Sequence, residues 1–309
     1  MDFLYIALGL AALLGGGEFL VSGAVALARR LGLSPMVIGL TLVGFGTSVP
    51  ELLTSLRAAF EGAPDIALGN VVGSNIANIL LILGLAALLR PIPVTGAAFR
   101  YDGAWMVTAA LACVGLAMWP VIGHGAGLGL LLGLVVFLWL TLRRGEDLAA
   151  LPDADAPPMP VWRASGLFFG GLALTLLGAV MLVAGATGIA RSFGVSEAVI
   201  GLTLVALGTS LPELVTSVLA ARRGHGDVAL GNILGSNIFN VLGILGATAL
   251  AKPLPVAPMI AQVDVYVMLA ASLALLATGL LWQRISRTAG LALLLGYAVY
   301  IGWLSRTLL

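Results

Sequence analysis

Two ten-residue stretches, GTSVPELLTS at 46–55 and GTSLPELVTS at 208–217, place Glu51 and Glu213 inside apolar runs long enough to span a membrane. An ionised, unpaired carboxylate at bilayer depth costs on the order of several kcal/mol or more. No Lys or Arg occupies a matching mid-span position, and Arg57, near a span end, has no basic counterpart at 219. The glutamates must therefore be protonated, line water or bind cations. Their neighbours favour cations. Thr47 and Ser48 precede Glu51 by four and three residues, as Thr209 and Ser210 precede Glu213, so on a helix all would share one face. Pro50 removes the N–H that would bond the Gly46 carbonyl, and Pro212 does the same to Gly208, so each helix should kink or open there. Freed carbonyls at mid-membrane are tolerated only where they are buried in protein or line water, and there they are ligands for a hard cation.

A second polar set follows each stretch. Asn70, Ser74 and Asn78 recur every four residues, and Asn232, Ser236 and Asn240 repeat the pattern. Interhelical hydrogen bonding is the plainer reading of these stripes. Gly69 with Gly73, and Gly231 with Gly235, would allow close helix approach. Asn75 and Asn237 lie off the stripe and read as packing residues. Donors that are all oxygen select Ca²⁺, Mg²⁺, Na⁺ or K⁺ over zinc or copper. Two carboxylates balance one Ca²⁺, and amide, hydroxyl and carbonyl oxygens fill its remaining positions better than they suit rigidly hydrated Mg²⁺. The same oxygens could hold several Na⁺. Competition for shared carboxylates is a direct physical basis for exchange.

These residues need elements to carry them. The chain has 309 residues, of which 60% are apolar and 9% charged, whereas a soluble domain carries roughly 25% charge. That composition indicates an all-α integral membrane protein. Ten apolar runs are expected as transmembrane helices, at about 3–28, 36–60, 66–89, 103–121, 126–142, 164–190, 197–221, 228–251, 263–283 and 288–306. The N-terminal stretch lacks a basic lead-in and reads as a first span rather than a signal peptide. Connections after odd-numbered spans hold Arg29, Arg30, Arg90, Arg100, Arg143, Arg144, Arg163, Arg222, Arg223, Arg284 and Arg287, against Arg57, Arg191, Lys252 and Arg306 on the other side. The positive-inside rule then puts the odd-span connections in the cytoplasm and both termini outside. Residues 143–162, charged and then rich in Pro, Ala and Asp, read as a cytoplasmic linker; Asp153 and Asp155 lack the Gly and Glu of an EF-hand calcium loop. The net charge of +1 argues against a nucleic-acid partner. Cys113 is the single cysteine and lies in an apolar run, so it reads as a small hydrophobe.

The polar residues recur at a fixed offset of 162: Glu51 with Glu213, Pro50 with Pro212, Asp65 with Asp227, Asn70 with Asn232, Ser74 with Ser236 and Asn78 with Asn240. The linker thus separates two five-helix repeats, 1–142 and 163–309. Five is odd, so the second repeat enters from the opposite face. Inverted repeats with broken helices at the midplane and a site between them are a common transporter plan. Asp65 and Asp227 begin spans and read as helix caps.

GTSVPELLTS…GNVVGSNIANIL and GTSLPELVTS…GNILGSNIFNVL resemble the two alpha-repeats of the calcium/cation antiporter superfamily, most closely prokaryotic sodium/calcium exchangers. The resemblance covers nearly the whole chain. It implies ion ligation by Glu51 and Glu213, by Thr47, Ser48, Thr209 and Ser210 beside them, by side chains of Ser74, Ser236, Asn78 and Asn240, and by backbone oxygens near Gly44 and Ala206. It implies Na⁺ and Ca²⁺ as transported substrates, no cofactor, a prokaryotic plasma membrane with lipid as surroundings, and a monomer sufficient for transport. Members exchange about three Na⁺ for one Ca²⁺, so that with both glutamates ionised transport would be electrogenic. Potassium-dependent relatives carry Asp where this chain has Asn240, so potassium co-transport is not expected. The nearest rival is a proton/calcium antiporter of the same fold, in which protons on Glu51 and Glu213 replace Ca²⁺; the wealth of Asn and Ser favours sodium. A cation channel fits the inverted repeats less well. An enzyme lacks support, since there is no HExxH and His124 and His225 lie at predicted loop ends.

Overall fold

The computed structural model describes residues 1–94, 96–144, 159–194, 204 and 206–308. Most of the expected linker at 143–162, with Asp153 and Asp155, lies outside the described residues, as does the start of the span expected at 197–221. Among the described residues the chain is mainly helical, with twelve helical elements: α1 (Asp2–Leu31), α2 (Pro35–Thr47), α3 (Val49–Phe60), α4 (Pro64–Leu89), α5 (Gly96–Ala117), α6 (His124–Arg143), α7 (Val161–Ser192), α8 (Ala206–Thr209), α9 (Leu211–Arg222), α10 (Gly226–Ala251), α11 (Ile260–Trp282) and α12 (Arg287–Leu308). Seven of these are long and apolar enough to cross a membrane, and the bent pair α2–α3 makes an eighth. The chain is an integral membrane protein.

Local sequence explains the element ends. Ser34 opens α2 by accepting the Val37 N–H at 3.2 Å, with Pro35 in the first turn. α1 closes on Gly32 in the left-handed conformation, with Arg29 and Arg30 against its negative end. α2 and α3 meet at Ser48 (φ −84°, ψ 9°) with a bend of 42°, two residues before Pro50. Ser210, two residues before Pro212, has nearly the same dihedrals (φ −91°, ψ 5°). Proline thus breaks both helices where the sequence placed it.

α4 and α10 form the centre, with 72% and 83% of their most apolar windows buried, against 6% for α12 and 28% for α6. Their polar stripes therefore face protein, not lipid. α10 packs on α2 and α9, and α3 on α4, while α5 pairs with α11. α1 and α7 run against each other along much of their length. Glycines at 9, 16 and 23 in α1, and at 171, 178 and 185 in α7, put backbone on backbone: a Cβ at Gly16 would sit 2.5 Å from the Thr175 nitrogen, and one at Gly178 2.4 Å from the Leu13 nitrogen. Both triplets are spaced by seven residues, a signal the polar pattern had hidden.

Contacts between the halves recur with the halves exchanged. Arg90 Nη1 donates to the Arg222 carbonyl at 2.9 Å, capping the end of α9, and Lys252 Nζ donates to the Phe60 carbonyl at 3.4 Å, capping α3. The structure departs from all-α in one respect. Among the described residues, four two-residue strands form two antiparallel pairs, Ile92–Pro93 with Arg284–Ile285 and Val121–Ile122 with Leu254–Pro255. Pro93 and Pro255 cannot continue a helix, and the extended connections beside them find each other across the repeats.

Candidate ion-binding site

Glu51 lies in the first turn of α3 and Glu213 in the first turn of α9, each 1% exposed. The carboxylates are bridged crosswise. Ser48 Oγ donates to Glu213 Oε1 at 2.8 Å, and Ser210 Oγ donates to Glu51 Oε1 at 3.0 Å. Each hydroxyl was expected to share a helix face with the glutamate three residues after it. The break at Ser48 and Ser210 turns it instead toward the glutamate of the other half. Thr47 and Thr209 are buried beside these serines; Thr47 Oγ1 donates to the Val43 carbonyl at 3.0 Å and reaches Asn232 Oδ1 at 3.3 Å. Ser236 Oγ donates to the Gly44 carbonyl at 3.2 Å, and Gly44 permits this approach because a Cβ there would lie 3.0 Å from the Ser236 nitrogen. Ser74 is buried in α4. Ala206, the counterpart of Gly44, opens the short helix α8.

Asn78 and Asn240 sit at wide π-helical turns, Asn78–Leu83 in α4 and Phe239–Leu245 in α10. Such turns cluster at functional sites, and nothing in the apolar pattern of the two spans announces them. α3, which carries Glu51, packs on the turn bearing Asn240, and α9, which carries Glu213, packs on the turn bearing Asn78. Among the described residues, Glu51 Oε2, Glu213 Oε2, Asn78 Oδ1 and Asn240 Oδ1 are buried acceptors with no hydrogen-bond donor. An unsatisfied buried acceptor costs about 1–3 kcal/mol, and more when charged. The four share one chemistry, oxygen lone pairs that a hard cation can satisfy.

The first asparagine of each stripe takes the interhelical reading, and two other expectations change. Asn70 and Asn232 clamp helices: Asn70 Nδ2 donates to the Glu51 carbonyl at 3.1 Å and to Ser55 Oγ at 2.9 Å, while Asn232 Nδ2 reaches the Glu213 carbonyl at 3.5 Å and Ser217 Oγ at 2.8 Å. Ser55 and Ser217 are the last residues of the two ten-residue stretches, a signal available in the sequence. Asn75, read as packing, accepts a hydrogen bond from Asn240 Nδ2 at 2.9 Å. Asp65 and Asp227 sit in first turns, where a carboxylate suits the helix dipole, but neither caps by a side-chain hydrogen bond; the cap positions are Ala63 and His225. Gly231 and Gly235 touch the α2 backbone closely, with added Cβ atoms 2.4 Å from the Met36 oxygen and 2.0 Å from the Leu40 oxygen. The residues that would correspond on the Gly69 and Gly73 side, 198–202, lie outside the described residues.

Comparison with known proteins identifies the family. A family described as sodium/calcium exchanger protein matches residues 1–143 and 163–306. The putative antiporter CaxA of Alkalimonas amylolytica is 40% identical over 307 residues, covering 96% of each chain. The sodium/calcium exchanger MaX1 of Methanosarcina acetivorans is 36% identical over 344 residues, covering 97% of each chain. A solved structure of the sodium–calcium exchanger NCX_Mj, soaked with Na⁺ and Ca²⁺, superimposes with a TM-score of 0.87 at 35% identity over 97% of both chains. The bridged pair of buried glutamates thus lies within a match that spans both halves, and the chain belongs to the sodium/calcium exchanger family.

Proposed function

We propose that this protein is a secondary antiporter that exchanges Na⁺ for Ca²⁺ by alternating access. The observation that carries the proposal is the set of unpaired, buried oxygens on Glu51, Glu213, Asn78 and Asn240, framed by serines that reach across from the opposite half. The carboxylates, together with Thr47, Ser48, Thr209, Ser210, Ser74, Ser236 and backbone oxygens at Gly44 and Ala206, form the ion ligands. Two carboxylates neutralise one Ca²⁺, whereas about three Na⁺ in the same oxygens leave one positive charge, so exchange is electrogenic. Asn240, being neutral, adds no third charge for K⁺, and transport is K⁺-independent. No cofactor takes part, and the chain carries ions rather than catalysing a reaction.

The same proposal includes ten spans in two inverted five-helix repeats, 1–142 and 163–309. Its support is the exchange of partners between halves: Arg90 on Arg222 against Lys252 on Phe60, and one strand pair against the other. The excess of basic residues on odd-span connections supports a cytoplasmic connecting segment and both termini outside, and the proposed membrane is a prokaryotic plasma membrane.

Proteoliposomes loaded with ⁴⁵Ca²⁺ test the coupling. With the pH gradient held at zero, an inward Na⁺ gradient should drive ⁴⁵Ca²⁺ out, K⁺ should be without effect, and a clamped membrane potential should change the rate. Release that follows an imposed pH gradient and ignores Na⁺ would instead identify protons as the exchanged ion.

A further inference from the structure

An asparagine makes a cation ligand only when its amide is the right way round. The oxygen must face the ion, since the NH₂ end is a donor and repels it. The two ends are nearly equal in shape, so something else must decide. At Asn240 the decision is traceable to a backbone carbonyl. Asn75 Nδ2 donates to the Asn237 carbonyl at 3.2 Å. A carbonyl only accepts, so Asn75 must present its nitrogen there, and Met268 Sδ, 3.5 Å from the same nitrogen, is also an acceptor. Asn75 Oδ1 is then left to face Asn240, whose Nδ2 donates to it at 2.9 Å. Asn240 Oδ1, the other end of that amide, is buried with no donor among the described residues. Asn75 and Asn240 are both buried.

We propose that Asn75 is a positioning residue that fixes the amide of Asn240 with its oxygen toward the transported cation. The inference rests on Asn240 being an ion ligand, as argued above. Released from Asn75, the Asn240 NH₂ could turn toward Glu51 Oε2, because α3, which carries Glu51, packs on the turn that carries Asn240. The ion-free site would then satisfy itself with a charge-assisted hydrogen bond that Ca²⁺ must break before binding. The clamp is one-sided. The counterpart Asn237 donates to the Ile233 carbonyl of its own helix at 2.7 Å, and its Oδ1 has no partner, so Asn78 is not held in this way.

A mutant cycle on Na⁺-driven ⁴⁵Ca²⁺ exchange tests this. Asn75→Ala should raise KM for Ca²⁺ about tenfold, the scale of one lost charge-assisted preference, with kcat within about twofold. In the Asn240→Asp background residue 240 has no NH₂ end to orient, and Asn75 Oδ1 faces an acceptor it can only repel. Asn75→Ala should then leave KM unchanged within about twofold or lower it. An equal effect of Asn75→Ala in both backgrounds, or none in either, overturns the proposal and returns Asn75 to a packing role. A separate variant, Asn240→Leu, distinguishes failure of the underlying reading: an unchanged Ca²⁺ KM there would remove Asn240 from the site altogether.

Discussion

Ser48 and Ser210 each donate to the glutamate of the other half, so the two carboxylates are held by one reciprocal pair of hydrogen bonds. Removing a donor from a buried carboxylate costs about 1.5–3 kcal/mol. Ser48→Ala should therefore lower the thermal midpoint of the purified, ion-free protein. That loss should vanish when Glu213 is already Ala and persist when Glu51 is Ala, which a double-mutant cycle on thermal unfolding would read. Dependence on Glu51 instead would mean that the hydroxyls serve their own helices. At this scale the residue types were legible in the sequence, because a membrane penalises Glu and Asn wherever they lack work. Their partnerships were not. Helical spacing assigned Ser48 to Glu51, and only the turn of the backbone at Ser48 sends it across. The role of Asn75 was hidden for the same reason, since its partners are 162 and 165 residues away.

Helices in lipid associate through close packing rather than hydrophobic burial, and α1 with α7 shows what that demands. Gly16 lies where a Cβ would stand 2.5 Å from the Thr175 nitrogen, while Gly15, one residue earlier, has nothing within 4 Å among the described residues. Gly16→Ala should destabilise the protein by about 1–3 kcal/mol, the usual scale of overpacking. Gly15→Ala should be near neutral, and thermal unfolding of the two variants in detergent compares them directly. Similar midpoints for both would show that the α1–α7 contact is not tight. Most described helix ends fall within a few residues of the apolar runs, although α5 begins at Gly96 rather than 103, and the proline breaks were readable from Pro50 and Pro212. The π-helical turns at Asn78 and Asn240 were not readable, because a widened turn follows from tertiary packing and leaves no mark on apolar periodicity. The short strands escaped for a similar reason: two extended residues gain stability only from a partner in the other half.

For the whole molecule, the proposed inversion of the two repeats makes a prediction that side chains alone cannot. Pro91 and Pro253 occupy the same place in the two halves, both exposed in short connections. Cys113 is fully buried and should stay silent toward aqueous thiol reagents. Pro253→Cys should label with an impermeant reagent in intact cells, and Pro91→Cys only after permeabilisation. Labelling of both from one side would mean parallel repeats. The 162-residue offset between the polar residues is legible in the sequence without any knowledge of contacts, and the proposed inversion follows from it only with five spans in each half. The two conformations that alternating access requires are a property of how the halves move, and no spacing encodes that.

The central claim is that cations hold Glu51 and Glu213 charged inside the membrane, and equilibrium binding of ⁴⁵Ca²⁺ to the purified protein addresses it without the complications of transport. The wild type should bind Ca²⁺ saturably and release it as Na⁺ is raised. Glu51→Gln and Glu213→Gln should each weaken binding by about a hundredfold or more, because ligand charge sets Ca²⁺ affinity, while thermal unfolding shows both variants folded. Undiminished Ca²⁺ binding by either folded variant would contradict the account.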